Sequence, residues 1–354
     1  MKKSGLTFIA LLFAGISLLF AQEEEEKLQI SGSVDTYYKY DFSGTGNIPT
    51  SFGNEQNSVS IGMIDLKLEK TTGKASFTGE ISFGPRNAGS VGPGPLGATI
   101  GEGENAIDIP AYAPNIQNLY VSYAFTDKFS VTGGYMGTFV GYELISPTGN
   151  FNYSTSYLFT NGPFQNAGVK LNYNFSDKFG VMVGAFNPWN VYTADEEIGP
   201  TSLGAQVFVS PVEGWNVYAN FLTGENGTIA DLTTAFEVSD ALLLGLNVAS
   251  YTAGGDTAAT FAGAAAYLNY AVKENVAVGL RYEHFRSNAT AGILSETEDA
   301  NVNAITLSAN LTGGALTFIP EVRYDMASQS IFVDSDGAAT KSAAQILLAA
   351  VYSF

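Results

Sequence analysis

Apolar and polar residues alternate along most of this chain. Between residues 276 and 282, for example, Val276, Val278, Leu280 and Tyr282 share one parity, while Arg281 lies on the other. Successive side chains of a β-strand point to opposite faces, so a period of two predicts strands with one apolar and one polar face. Such segments begin near residues 28, 57, 73, 115, 128, 164, 178, 200, 213, 228, 241, 257, 274, 301, 314 and 341. We therefore predict an all-β fold.

The connections between these segments alternate in length. Tight turns are expected at residues 71–73, 126–128, 176–178, 238–240 and 312–314, and longer polar or Gly/Pro-rich stretches at 41–56, 85–114, 141–163, 189–199, 287–300 and 327–340. A soluble β-sandwich would also alternate, but segments of about ten residues match tilted strands that cross a bilayer. Because backbone groups in lipid must all be paired, the sheet has to close. We predict a transmembrane antiparallel β-barrel of about 16 strands, with short periplasmic turns and long extracellular loops.

The first residues are typical of a secretory signal. Lys2 and Lys3 precede an apolar run over residues 6–20, and a membrane anchor is the alternative, although the run is short for a span. We predict a signal peptide over residues 1–21, an acidic N-terminal segment over 22–27 and the barrel over 28–354. The protein would then be exported to the bacterial outer membrane.

Composition narrows the possible partners. The chain has 354 residues, no cysteine and a formal net charge of −18. Without cysteine there is neither a disulfide framework nor a thiolate metal site. Nucleic acid is not expected as a partner, because its binding depends on an excess of basic residues.

The C-terminal residues continue the alternation to the last position. Ile346, Leu348, Ala350, Tyr352 and Phe354 share one parity. This segment resembles the closing strand of bacterial outer-membrane proteins, which implies that Phe354 is an assembly signal for the barrel assembly machinery.

Two segments, 123–135 and 173–185, nearly repeat each other. Each has aromatic residues on both sides of a Thr/Ser-Asp-Lys centre; these are Phe125, Phe129, Phe175 and Phe179. Aromatic girdles lie where a barrel meets the lipid headgroups. We predict two periplasmic turns of one barrel.

The middle of the chain carries a family resemblance. The residues concerned are Gly141, Tyr142, Glu143, Asn150, Phe151, Asn152, Tyr153, Ser154, Gly162, Pro163, Phe164, Gly168, Asn187, Pro188, Trp189 and Asn190. Over about residues 118–190 the chain resembles the OmpL-like outer-membrane β-barrel porin family. The resemblance implies a porin in a Gram-negative outer membrane and implies no particular substrate.

The connection over residues 141–163 follows the fifth predicted strand. In sixteen-stranded porins the third outer loop folds into the barrel and narrows it. Tyr142, Phe151, Tyr153 and Tyr157 could pack this loop against the inner wall, with Asn and Ser side chains such as Asn152 providing hydrogen bonds. Gly141, Gly162 and Pro163 mark the ends of the loop. An aromatic-rich surface loop is the alternative. We expect the inward, constricting position.

Charges on the polar faces are predicted to point into the lumen, because a lipid face rejects them. The predicted pore-lining residues are Asp65, Lys67, Glu69, Glu143, Lys170, Arg281, Glu283, Glu321, Arg323 and Asp325; Asp35, Lys39 and Glu80 share their parity. The loop after strand five faces strand thirteen across a ring of sixteen. We therefore expect Arg281 and Arg323 to lie opposite Glu143.

Little in the sequence indicates catalysis or metal binding. His284 is the only histidine and has no accompanying serine motif, and residues 334–337 match only the start of a calcium loop. We predict no catalytic residues, no metal and no cofactor.

The predicted function is passive diffusion of small hydrophilic solutes with mild cation preference. A plugged structural or receptor barrel and a carbohydrate-specific channel are alternatives. Expected partners are outer-membrane lipids, lipopolysaccharide and, as a homotrimer, further copies of the chain.

Overall fold

The computed structural model describes residues 27–88, 98–100, 107–109, 115–194, 199–254, 259–288, 294 and 299–354. The predicted signal peptide and residues 22–26 lie outside them. The elements in chain order are β1 Gln29–Asp41, β2 Ser58–Thr72, β3 Ala75–Phe83, α1 Pro85–Ala88, β4 Ala98–Ile100, β5 Ile107–Ile109, β6 Ile116–Ala124, β7 Phe129–Gly137, α2 Tyr157–Asn161, β8 Gln165–Ser176, β9 Phe179–Phe186, β10 Ser202–Val209, β11 Trp215–Gly224, β12 Gly227–Ser239, β13 Leu242–Thr252, β14 Thr260–Lys273, β15 Val276–Ser287, β16 Ala300–Gly313, β17 Leu316–Ala327, β18 Phe332–Val333, β19 Ala339–Thr340 and β20 Ser342–Ser353. Among these residues, no helix has the length and apolar character that a membrane crossing requires.

Sixteen of the strands form one closed antiparallel barrel, in the order β1, β2, β3, β6 to β17 and β20. The remaining strands pair as two small hairpins, β4 with β5 and β18 with β19. Each barrel strand begins within three residues of its predicted start. The predicted all-β fold and strand number are confirmed.

The barrel closes between its first and last strands. β1 pairs with β20 from Ser33 opposite Ser353 to Asp41 opposite Gln345. The backbones of Gly32 and Phe354 exchange two hydrogen bonds of 3.0 Å. A Cβ at position 32 would lie 2.4 Å from the Asp65 carbonyl oxygen and 2.8 Å from the Phe354 ring. Glycine at this position therefore lets the terminal aromatic ring lie against β1.

Parity separates two environments on every long strand. On β15, Leu280 and Tyr282 are 41% and 45% exposed, whereas Arg281 and Glu283, which alternate with them, are fully buried. Outward-facing apolar residues are thus accessible to lipid, and inward-facing polar residues are covered. This arrangement is that of a membrane barrel, in which apolar side chains face the lipid outside and polar side chains face the interior.

The two near-repeated segments form equivalent turns. The Phe125 and Phe129 rings stack at 5.5 Å between centroids, and the Phe175 and Phe179 rings stack at 5.0 Å. All four rings lie beside short turns between strands, so they form part of one aromatic belt at the end of the barrel that carries the turns.

Part of the barrel interior is apolar. A buried cluster combines inward-facing side chains of β11 to β17 with residues of the long connections; it includes Ile48, Tyr157, Leu158, Phe261, Phe285 and Phe332. Since these side chains come from both the wall and the loops, the loops pack into this side of the barrel.

Candidate functional site

The connection between β7 and β8, residues 138–164, lies inside the barrel, and we call it the inner loop. Tyr153, Tyr157 and Leu158 on this loop are at most 4% exposed. Its hydrogen bonds reach inward-facing residues of strands far from β7 and β8 in the ring, among them Arg281 on β15 and Glu321 on β17. The inner loop therefore lies against the opposite wall.

Glu143 fastens two parts of the loop to that wall. One carboxylate oxygen lies 2.6 Å from Arg281 Nη1, and the side chains of this ion pair are 1% and 5% exposed. The other oxygen accepts hydrogen bonds of 2.7 Å from both the backbone N–H and the hydroxyl of Ser156. Hydrogen bonds from both terminal nitrogens of Arg281 to Ser154, Thr155 and Thr306 offset part of the cost of burying this charge pair. Glu143 thus joins the two arms of the loop to β15.

Two wall carboxylates accept hydrogen bonds from the loop backbone. Glu283 accepts from the N–H groups of Tyr157 and Leu158, at 2.9 and 2.8 Å, where α2 begins. Glu321 accepts from the N–H of Tyr153 at 3.0 Å. Backbone N–H groups at the first turn of a helix have no partner within that helix, so a carboxylate placed there stabilises it. These carboxylates therefore hold the loop rather than face open solvent.

The wall arginines bind the loop carbonyl groups. Arg281 donates to the carbonyl oxygen of Ser154 at 2.7 Å, and Arg323 donates to that of Thr155 at 2.8 Å. Arg323 also forms a two-point ion pair with Asp325, at 2.8 and 2.9 Å. Arg281, which the sequence predicts to lie opposite Glu143, binds that carboxylate. Arg323 contacts the same loop at Thr155, but its ion-pair partner is Asp325, two residues along its own strand.

The loop also reaches the first two strands of the barrel. The Tyr153 hydroxyl donates a hydrogen bond to Asp35 on β1, and the Ser146 hydroxyl donates to Asp65 on β2 at 2.9 Å. At the other end, the N–H of Gly141 donates to Asp231 on β12 at 3.1 Å. Together these contacts follow the inner wall from β12 through β17 and β20 to β2.

Aromatic contacts add to the polar ones. Tyr142 stacks on Tyr267 of β14 with ring centroids 4.3 Å apart, and Tyr157 stacks on Phe285 of β15 at 5.6 Å. Burial, with the neighbouring Glu143 carboxylate, raises the pKa of Tyr142 to about 12. Burial likewise raises the pKa of Tyr153. Both hydroxyls are therefore neutral at physiological pH, and that of Tyr153 is a hydrogen-bond donor.

The first long connection, between β1 and β2, covers the inner loop. The Thr155 hydroxyl donates to the Ser51 carbonyl at 2.6 Å, and the Ser51 N–H donates to the Thr160 hydroxyl at 2.7 Å. Phe52 packs against Phe159 with ring centroids 5.9 Å apart. The far end of α2 is thereby held, and its last turn ends at Gly162, whose N–H donates to the Leu158 carbonyl at 3.0 Å.

A different part of the wall is free of the loop. Lys67 and Glu69 on β2 form an ion pair of 2.9 Å, with side chains 28% and 36% exposed. Glu80 on β3 and Lys170 on β8 are half-buried and share the inward parity. Asn118 on β6 donates to Glu80 at 2.6 Å. We call the face formed by Lys67, Glu69, Glu80, Asn118 and Lys170 the open wall.

The predicted site residues thus fall into two groups. Glu143, Arg281, Glu283, Glu321, Arg323 and Asp325 are gathered at the inner loop, where Asn152 also donates to Ser308 at 2.7 Å. Lys67, Glu69 and Lys170 lie apart from it on the open wall, and Asp65 lies between the groups. Sequence reasoning missed Asp231, although its inward parity on β12 was a usable signal. It did not single out Glu80 from the other inward-facing carboxylates.

The profile of the family described as "Putative beta-barrel porin-2, OmpL-like" matches residues 27–354. The chain belongs to the OmpL-like porin family. The predicted resemblance over residues 118–190 is confirmed and extends over the whole barrel. Porins of this family are outer-membrane channels rather than enzymes.

Solved structures show the same fold as this OmpL-like porin. The outer membrane channel DcaP of Acinetobacter baumannii is similar with a TM-score of 0.60 and 15% identity, over 95% of this chain and 99% of that one. OmpF of Salmonella typhi, solved with daunomycin, gives 0.62 and 12% over 94% and 99%. The trimer form of OmpT of Vibrio cholerae gives 0.54 and 11% over 93% and 99%. No curated protein matches this sequence.

Proposed function

We propose that this OmpL-like porin is a passive diffusion channel for small hydrophilic solutes, narrowed by the inner loop. The observation that carries the proposal is the attachment of residues 141–158 to one side of the barrel interior through Glu143, Arg281, Glu283 and Glu321. A loop held on one side narrows the barrel without needing to fill it. Partly exposed, charged residues remain on the open wall, where a solute would pass.

Mild cation preference is part of the proposal. The chain carries an excess of acidic residues, and a water-filled passage with low-dielectric walls concentrates their field. Because salt screens such a field over about 10 Å at 0.1 M, the preference should weaken as ionic strength rises.

A plugged barrel is the second candidate, and one observation favours it. The apolar cluster brings Ile48, Leu158 and Phe332 from three loops against the wall, so one side of the interior is closed. A carbohydrate channel has less support. Tyr37, Tyr120 and Tyr218 have the inward parity that an aromatic sugar track would need. Tyr37 and Tyr218 are only 4% and 7% exposed, and Tyr120 alone is half-buried.

Reconstitution into planar bilayers separates these candidates. We expect the purified protein to give stepwise conductance that sugars do not block, and deletion of residues 150–157 to raise it. The deletion removes the loop contacts with Glu321 and the N–H of Tyr157 that binds Glu283. A wild-type protein without conductance whose deletion variant conducts would identify a plugged barrel. An unchanged conductance after deletion would contradict constriction by the loop.

Assembly and location complete the proposal. We propose export through a signal peptide over residues 1–21, insertion by the barrel assembly machinery, contact with lipopolysaccharide in the outer leaflet and a homotrimeric state. A trimer form is described for OmpT of Vibrio cholerae, which has the same fold. Crosslinking in intact outer membranes tests the trimer.

A further inference from the structure

We propose that the charges of the open wall, namely Lys67, Glu69, Glu80 and Lys170, set the ion selectivity of the channel, and that the two buried ion pairs, Arg281 with Glu143 and Arg323 with Asp325, do not. This inference rests on the proposed channel function. The exposed charges are assigned to ion selectivity and the buried ion pairs to attachment of the loop. This division follows from how exposed each side chain is and whether it is paired.

Both buried arginines form an ion pair and bind the inner loop. Arg281 binds Glu143 and the Ser154 carbonyl, and Arg323 binds Asp325 and the Thr155 carbonyl. Arg281, Arg323 and Asp325 have no exposed surface. Because opposite charges at 2.6–2.8 Å largely cancel at a distance, a passing ion experiences little net field from these pairs.

The open wall has an acidic side. Lys67 lies directly opposite Glu80 in the register of β2 and β3, and its ammonium group is bound to Glu69. One lysine therefore lies beside two carboxylates and binds one of them, and this group is partly exposed. The excess negative charge favours a cation or the ammonium end of a zwitterion.

Lys170 is the basic counterpart, several strands away. Its backbone neighbours across β7 and β9 are Thr132 and Gly184, neither of which carries a charge. Among the described residues, no side chain forms an ion pair or hydrogen bond with Lys170. Its positive charge is thus uncompensated and favours an anion or the carboxylate end of a zwitterion.

Opposite charges at two positions along one passage give weak net selectivity and favour small zwitterionic solutes over ions of either sign. Single substitutions should therefore shift selectivity in opposite directions. Glu80→Gln should lower the cation-to-anion permeability ratio roughly twofold, and Lys170→Gln should raise it by a similar factor, as expected for one charge acting across water.

Reversal potentials under a KCl gradient measure these ratios. Glu237→Gln and Lys178→Gln are matched controls, since both residues are exposed near the short turns, away from the inner loop and the open wall. We expect neither control to change the ratio. Equal shifts from Glu80→Gln and Glu237→Gln would show that net charge governs selectivity and would overturn the proposal.

Thiol labelling keeps the test independent of conductance. The chain has no cysteine, so Glu80→Cys, Lys170→Cys and Glu283→Cys each introduce a single thiol. A small cationic methanethiosulfonate reagent should modify the first two rapidly and the third slowly. Slow reaction at positions 80 and 170 would overturn the open wall as a water-filled path. A barrel that labels as expected but does not conduct contradicts the proposed function alone.

Discussion

Removing the charge of Glu143 should release the inner loop without unfolding the barrel. Glu143→Gln keeps the size of the side chain but removes its ion pair with Arg281, whose two side chains are 1% and 5% exposed. Breaking a buried pair by changing one partner costs about 3–5 kcal/mol, because the other charge is left buried. At the lower limit, the ratio of released to docked loop rises roughly a hundredfold, since each 1.4 kcal/mol is a factor of about ten.

Single-channel recording measures this ratio as the occupancy of a higher conductance level. We expect Glu143→Gln and Arg281→Gln each to show it, and the double variant to show less than the two effects combined, because neither charge is then left unpaired. Glu237→Gln makes the same chemical change at an exposed position and is the control. Glu143→Gln traces indistinguishable from those of the control would refute this account of loop docking.

Three further outcomes are expected. A disulfide between Asn152→Cys and Ser308→Cys replaces a hydrogen bond of 2.7 Å. It should leave the conductance of the otherwise unmodified protein unchanged and abolish the higher conductance level in Glu143→Gln. A large drop in conductance on oxidation would show that the loop is normally elsewhere. Tyr157→Phe removes the 2.8 Å hydrogen bond to Asp325, so at a cost of about 1–3 kcal/mol it should give noisier channels with an unaltered reversal potential. Deletion of Phe354 removes its two backbone hydrogen bonds with Gly32 and should reduce the heat-modifiable fraction of the protein in detergent gels. Equal folding yields with and without Phe354 would contradict a role for this residue in closing the barrel.

The fold was predictable because one face of every strand must be apolar. The period of two located each barrel strand from Gln29 to Ser353. The alternation of short turns with long connections showed which end of the barrel carries the turns and which carries the loops. Parity also fixed which charges point inward, and the size of the ring placed residues 141–163 near β15. These quantities depend only on spacing along the chain.

The pairing of those charges was not predictable. Parity gives Arg281 and Arg323 the same direction, but whether Glu143 or Asp325 binds a given guanidinium depends on the path of the loop backbone. The same path decides that Glu283 accepts N–H groups of α2 while Glu80 lies free of the loop. A sequence pattern contains no information about such contacts between the backbone of the inner loop and the inward-facing side chains of the barrel strands.

One residue of the inner loop bridges the junction at which the barrel closes. Tyr153 donates its N–H to Glu321 on β17 and its hydroxyl to Asp35 on β1, and β20 lies between these two strands. Synthesis of the loop precedes that of β17 and β20 by more than 150 residues, and its docking surface is complete only when the last strand has paired with the first. Loop docking is therefore a late step of folding, coupled to completion of the ring. A barrel whose ends have not met cannot offer Tyr153 both of its partners, so the fully docked loop marks a correctly assembled barrel.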